Sequence, residues 1–198
     1  MYSRKLRARY LEALRQRLTP GRLTHSLGVE KMAVDLAEKY GEDTEKAAIA
    51  GLLHDYAKYV ADEQMLAYAK EFGIPLCRAY EAQPNLLHGP VGAKLVEQEL
   101  GICDAQVLAA IAHHTTGAPG MSRLEEIVYL ADLLEENRNF EGVEKLRQAL
   151  DYGLEQAIEQ AMAHELAYLQ KQGGQVHPDT AAAYQWVLEK RREQNGKF

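Results

Sequence analysis

The sequence has 198 residues, 46% of them hydrophobic, with 23 basic against 29 acidic side chains and a formal net charge of -6. That length and apolar content can bury one good core, while the acidic balance gives no electrostatic footing for a nucleic-acid partner. No apolar run reaches the roughly 18 residues of a membrane helix. The opening is too polar for a signal peptide, and Cys77 and Cys103 lack ligand-like spacing, so a cytoplasmic protein with reduced thiols and no membrane partner is expected.

In chain order the periodicity is helical throughout. Residues 3–18 place Leu6, Tyr10, Ala13, Leu14 and Leu18 on one face and arginines on the other, and Thr19-Pro20-Gly21 breaks the pattern. The next helix carries His25, Val29, Met32, Leu36 and Tyr40 on one stripe and can be capped by Gly41, so His25 heads a buried face. The following stretch, Gly51 to Lys58, reads GLLHDYAK. Its apolar residues Ile49, Leu52, Leu53, Tyr56 and Val60 recur at helical spacing, while Ala47, Gly51, His54, Asp55 and Lys58 form a second face of one continuous helix. Burying an imidazole and a carboxylate there without partners would cost several kcal/mol. A metal ion or a structural hydrogen bond within the pair would compensate them.

Asp62 to Phe72 reads as a short helix ended by Gly73 and Pro75, followed by a loop to Asn85-Leu86-Leu87-His88-Gly89-Pro90. Pro90 suits the first turn of a helix running to Leu100, which sets His88 just ahead of its N-terminus. Asp104 caps a helix in which Val107, Ile111 and His114 share a stripe, and His113 is rotated about 100° from His114. Ser122 and Glu125 have the spacing of a capping box for LEEIVYLADLLEE, whose Asp132 falls on the Leu124 and Val128 stripe. An unpaired carboxylate on such a surface wants a cation. Residues 143 to about 171 and 180 to 192 read as helices with little chemistry, and His164 and His177 as surface or capping residues. Strand-period segments, repeats and phosphate-binding glycine loops are lacking.

The expected fold class is therefore all-α. The candidates His25, His54, Asp55, His88, His114 and Asp132 include four of the seven histidines, placed on or beside faces that also carry the apolar stripe. Imidazole and carboxylate without thiolate suit iron, manganese or cobalt, with zinc also admissible, and argue against a structural zinc site. Two acids and four histidines exceed the needs of one ion that must keep positions open, which favours a two-metal site with Asp55 as the bridging carboxylate.

The ordered set His25, His54-Asp55 and Asp132 on a helical chain resembles the HD-domain metal-dependent phosphohydrolase superfamily, and His88 and His114 resemble the extra ligands of its dinuclear members. More narrowly, HSLGVEKMA, GLLHDYAKY, NLLHGPVGA, HHTTG, YLADLLEENRNFEGV and HPDT resemble the bacterial YqeK family, the HD-type symmetrical bis(5'-nucleosyl)-tetraphosphatases. The resemblance implies a helical bundle with a core over about residues 20–140 and C-terminal helices over about 141–192, forming one domain over 1–198. It further implies an iron-type enzyme that cleaves diadenosine tetraphosphate into two ADP with a metal-activated water as nucleophile. In that family a single histidine precedes Thr-Thr-Gly, so only His114 inherits a ligand role.

Asp55, His54 and Lys58 are then the expected catalytic residues, and Lys58, Arg22, Arg138 and His113 the candidate substrate contacts. A nucleotide substrate is the expected partner, and a homodimer is compatible with the sequence. Hydrolases of deoxynucleoside monophosphates or of guanosine tetraphosphate would use the same metal residues. A slow nucleotide-binding regulator would too, whereas a purely structural helical module would bind no metal.

Overall fold

The protein is described here by a computed structural model covering residues 3–195, and every regular element among these residues is helical. In order they are α1 (Arg4–Arg15), α2 (Pro20–Tyr40), α3 (Thr44–Leu53), α4 (Asp62–Glu71), α5 (Arg78–Ala82), α6 (His88–Leu100), α7 (Ala105–His113), α8 (Arg123–Leu134), α9 (Val143–Ala149), α10 (Leu154–Lys171) and α11 (Pro178–Asn195). Tight 3-10 turns occupy Pro84–Leu87 and Leu150–Tyr152. The starts are chemically marked: the side chains of Ser3, Thr19, Asp43, Asp104 and Ser122 each accept a backbone N–H of the turn they open. At Ser122 the Glu125 carboxylate returns the bond, completing the expected capping box.

The centre of the molecule is a bundle in which α2 lies against α3 and α8, and α7 bridges α3, α6 and α8. Leu52, Leu53, Ile111, Ile127 and Leu130 meet there fully buried. Two crossings depend on the absence of a side chain. A Cβ on Gly51 would stand 3.0 Å from the Val29 carbonyl of α2, and one on Gly89 2.5 Å from the Ala112 carbonyl of α7. Helices carrying four candidate histidines are thereby drawn close. On the other side, α10 packs on α8, α9 and α11, and Lys190 of α11 reaches the buried Glu126 of α8.

Several expectations about boundaries are corrected. The helix bearing GLLHDYAK does not continue to Val60 but ends at Leu53, and residues 54–59 form successive turns. The His54 Nδ1–H donates to the Gly51 carbonyl, the group that residue 55 would have used to extend the helix, and Tyr56, Lys58 and Val60 bond back three residues instead. The stretch read as a loop before His88 contains α5 and a 3-10 turn, and α6 begins at His88 itself rather than beyond it. The single helix expected over 143–171 is interrupted at Gly153, whose φ of 117° lies where only glycine is comfortable. His177 is buried rather than superficial, and its Nδ1 accepts the Asp179 N–H at the start of α11.

Candidate metal centre

Six side chains from five segments converge at the centre of the bundle. His25 comes from α2, His54 and Asp55 from the end of α3, His88 from the start of α6, His114 from the end of α7 and Asp132 from α8. His54 is fully buried, Asp55 1% exposed, His88 2% and His114 3%, so water does not solvate these polar groups.

Three histidines are oriented by one local device. The Nδ1–H of His54 donates to the Gly51 carbonyl at 2.8 Å, that of His114 to the Ile111 carbonyl at 2.8 Å, and that of His88 to the Asn85 carbonyl at 2.5 Å. A carbonyl can only accept, so each ring holds its proton on Nδ1 and presents an Nε2 lone pair to the interior. His25, in mid-helix, uses a carboxylate instead: its Nδ1 lies 3.0 Å from Glu135 Oε1, and Glu135 is held by the backbone and side-chain N–H groups of Asn137. Glu135 was absent from the sequence candidates. Its signal is weak, since it is the first of two adjacent glutamates just past α8. A side chain on Gly28 would collide with Glu135, which ties that glycine to the placement of His25.

The Nε2 atoms face the two aspartates. Asp55 Oδ2 lies 3.1 Å from His54 Nε2 and 3.8 Å from His25 Nε2, while its Oδ1 lies 3.2 Å from His88 Nε2 and 3.9 Å from His114 Nε2. The two oxygens of one carboxylate are thus aimed at different histidine pairs. Asp132 Oδ1 is 2.9 Å from His25 Nε2 and 3.7 Å from His54 Nε2.

This arrangement fits a cation better than it fits hydrogen bonding. His25 Nε2 and His54 Nε2 are buried without an aligned hydrogen-bond partner, despite the nearby oxygens. The Nε2 atoms of His88 and His114 stand 3.1 Å apart, with the Lys58 ammonium 3.2 Å from the first of them. Three groupings bring ligand atoms within 4.8 Å of one another: His25, His54 and Asp55; His54, His114 and Asp132; Asp55, His88 and His114. With imidazole and carboxylate donors and no thiolate, the cluster suits a divalent metal.

The electrostatics agree. Burial alone would raise the Asp55 carboxyl, but His54, His88 and His114 hold it well below the usual carboxylate range. Asp132 is likewise held low against its burial by His25, His54 and Arg138. Burial, with His54 and His88 beside it, pushes the His114 imidazole down to about 3, so its nitrogen stays available at neutral pH.

Around the acids stand three cations. Arg22 Nη1 lies 2.9 Å from Asp55 Oδ2, Lys58 Nζ 3.9 Å from Asp55 Oδ1, and Arg138 bonds Asp132 Oδ1. Lys58 reaches the site from a turn, not from the helical face predicted for it. Burial lowers its ammonium pKa against the pull of Asp55. His113 points away: its Nδ1 is 2.6 Å from Glu125 of the capping box, and it does not line the cavity. Thr115, missed by the sequence reading, places its hydroxyl 2.9 Å from His114 Nε2 and 3.2 Å from His88 Nε2.

The cluster opens into a cavity of about 910 Å³ bounded by α8, the segment through Phe140 and α10. Lys145, His164, Glu165 and Tyr168 contribute to its walls, so the C-terminal helices expected to carry little chemistry form one side of it.

A buried histidine and aspartate centre on a helical bundle, opening into a cavity edged by cations, has the makings of a metal-dependent hydrolase of anionic substrates. The family model for the HD domain matches residues 22–137, and the chain belongs to that family. The symmetrical bis(5'-nucleosyl)-tetraphosphatase of Bacillus subtilis (strain 168) is 40% identical over 90% of this chain and 95% of the relative. That of Halalkalibacterium halodurans is also 40% identical, over 92% of this chain and 97% of the relative. A crystal structure described as a predicted HD superfamily hydrolase involved in NAD metabolism, from Clostridium acetobutylicum, superposes with a TM-score of 0.90 at 39% identity and covers 96% of this chain and 99% of that one.

Proposed function

We propose that this protein hydrolyses dinucleoside polyphosphates and cuts diadenosine tetraphosphate symmetrically into two ADP. The observation that carries this reading is the opening of the Asp55 and histidine cluster into a cation-edged cavity large enough for a nucleotide. The likeness of nearly the whole chain to enzymes named for this reaction supports it.

His25, His54, Asp55 and Asp132 would hold one metal ion, and His88, His114 and Asp55 another, with Asp55 the ligand they would share. The metal is taken to be iron, as the family resemblance implies, while the donor set admits manganese, cobalt or zinc as well. Bound metal would neutralise phosphate oxygens and lower the pKa of a water near neutral pH. The chain's own residues do the rest. Arg22, Lys58 and Arg138 pair with the two aspartates and are placed to grip phosphate oxygens without leaving the protein acids uncompensated. Lys58 Nζ lies 3.2 Å from His88 Nε2, so we assign it the contact nearest the reacting phosphate. Thr115 offers a hydroxyl between His88 and His114 that can orient a water or a phosphate oxygen.

The test is to load purified protein with iron, supply diadenosine tetraphosphate and separate the initial products. ADP as the sole nucleotide product is expected. AMP with ATP would sink the symmetrical assignment.

A further inference from the structure

A carboxyl group in a cavity built for polyphosphate needs a reason, because it repels the ligand its neighbours attract. Glu165 is such a group: it lines the cavity from α10 and lies within electrostatic reach of Asp132 and Arg138 at the metal end. Its Oε2 accepts a hydrogen bond from the Tyr129 hydroxyl of α8. Its Oε1 takes no hydrogen bond from the described residues. That oxygen faces the cavity and is free to accept a donor brought by the ligand.

The donors on a nucleotide are the ribose hydroxyls and the amino and imino groups of the base. Position along α10 separates them. Glu165, Tyr168 and Gln172 all line the cavity, and Glu165 to Gln172 spans about 10 Å of helix axis. The acid stands at the phosphate end, beside the charges of Asp132 and Arg138, while Tyr168, an exposed residue, and Gln172 follow outward. A nucleotide whose phosphates lie at the metal centre presents its ribose next and its base last. Tyr168 offers that base a face for stacking.

We infer that Glu165, steadied by Tyr129, accepts the vicinal ribose hydroxyls of the nucleotide half enclosed by the cavity and so selects ribonucleotides. The inference rests on the nucleotide reading above. It makes Glu165 a specificity residue, not a participant in bond breaking.

Calorimetric binding to the metal-loaded protein tests it without turnover, with ADP and its 2',3'-dideoxy analogue as probes. Wild type is expected to bind ADP roughly tenfold or more tightly than the dideoxy analogue, the range for hydrogen bonds to a charged group. Glu165→Ala should bind the two probes equally, at about the weaker affinity. Glu165→Gln keeps one oxygen for the Tyr129 hydroxyl and turns an N–H donor, in place of the carboxylate oxygen, toward the ribose, so it should discriminate by only about threefold; it carries the test if the alanine variant does not fold. If Glu165→Ala or Glu165→Gln weakens both probes by the same factor, the residue is structural and the inference falls. It falls equally if wild type does not distinguish the probes or does not bind ADP. Should the binding pattern hold while wild type leaves diadenosine tetraphosphate intact, the proposed reaction fails and the ribose assignment stands.

Discussion

Each histidine at the centre has one nitrogen tied to the protein and the other directed at an aspartate, so single substitutions separate the roles. Asp55→Ala and His54→Ala are expected to abolish hydrolysis and bound metal while helical circular dichroism is unchanged. Full metal content in the Asp55 variant would remove it as a bridge. Glu135→Gln leaves all six inner residues in place but weakens the hold on His25 Nδ1. A drop of about 10- to 100-fold in metal affinity is expected by metal titration, as for other groups that orient a ligand. The adjacent histidines provide a contrast. His114→Ala should lose most activity, and His113→Ala should lose no more than about threefold in kcat/KM, because His113 faces Glu125 and the solvent side of α7. Glu165 also leaves a signature in stability. Burial raises its carboxyl from 4.5 to about 7, so its contribution is fully present below the unfolded value and is lost as pH rises through 7. Relative to wild type, Glu165→Gln should gain stability between those values, by on the order of 1–2 kcal/mol since solvent reaches the cavity wall. Urea titrations at pH 4.5 and 8 measure the difference.

At the scale of elements, the centre is set by where helices stop and how closely they cross. His54 and His114 each sit at a helix C-terminus and bond the carbonyl three residues back, which ends the helix and aims the ring in one step. His88, at the first position of α6, does the same to the 3-10 turn before it. The crossing of α6 and α7 then decides whether His88 and His114 meet. Gly89→Ala puts a methyl 2.5 Å from the Ala112 carbonyl, a backbone atom that cannot swing aside. We expect a loss of roughly 1–3 kcal/mol in unfolding free energy and a larger loss of activity, since His88 is carried with α6. Unchanged activity in a folded Gly89→Ala protein would show that the two histidines need not meet at this spacing.

For the whole molecule, two bodies of side chains face one cavity: the central bundle supplies the metal residues with Arg22 and Lys58, and α10 with the segment before α9 supplies the outer wall and Arg138. Cleavage in the middle of a symmetric substrate follows if the cavity holds one nucleoside half and the centre grips the phosphates beyond it. In oxygen-18 water, one ADP per turnover should carry label, on its terminal phosphate. Mass spectrometry of the products checks this, and label on AMP would place the cut elsewhere. No helix among the described residues is long and apolar enough to cross a membrane.

Much of this was legible in the sequence because it depends on short-range physics. Helical periodicity, the caps at Asp104 and Ser122, the polar positions His25 and Asp132 on apolar stripes, and the separate face of His54 and Asp55 need only the neighbours within a turn or two. The end of α3 escaped because a side chain, His54, competes for a backbone carbonyl, and periodicity does not register that competition. The reach of Lys58, the turning away of His113 and the roles of Glu135, Thr115 and Glu165 were decided only by tertiary structure. Each depends on which residue from a distant helix stands opposite, and that is fixed by the close packing of α2, α3, α6, α7, α8 and α10, not by any pattern along one of them.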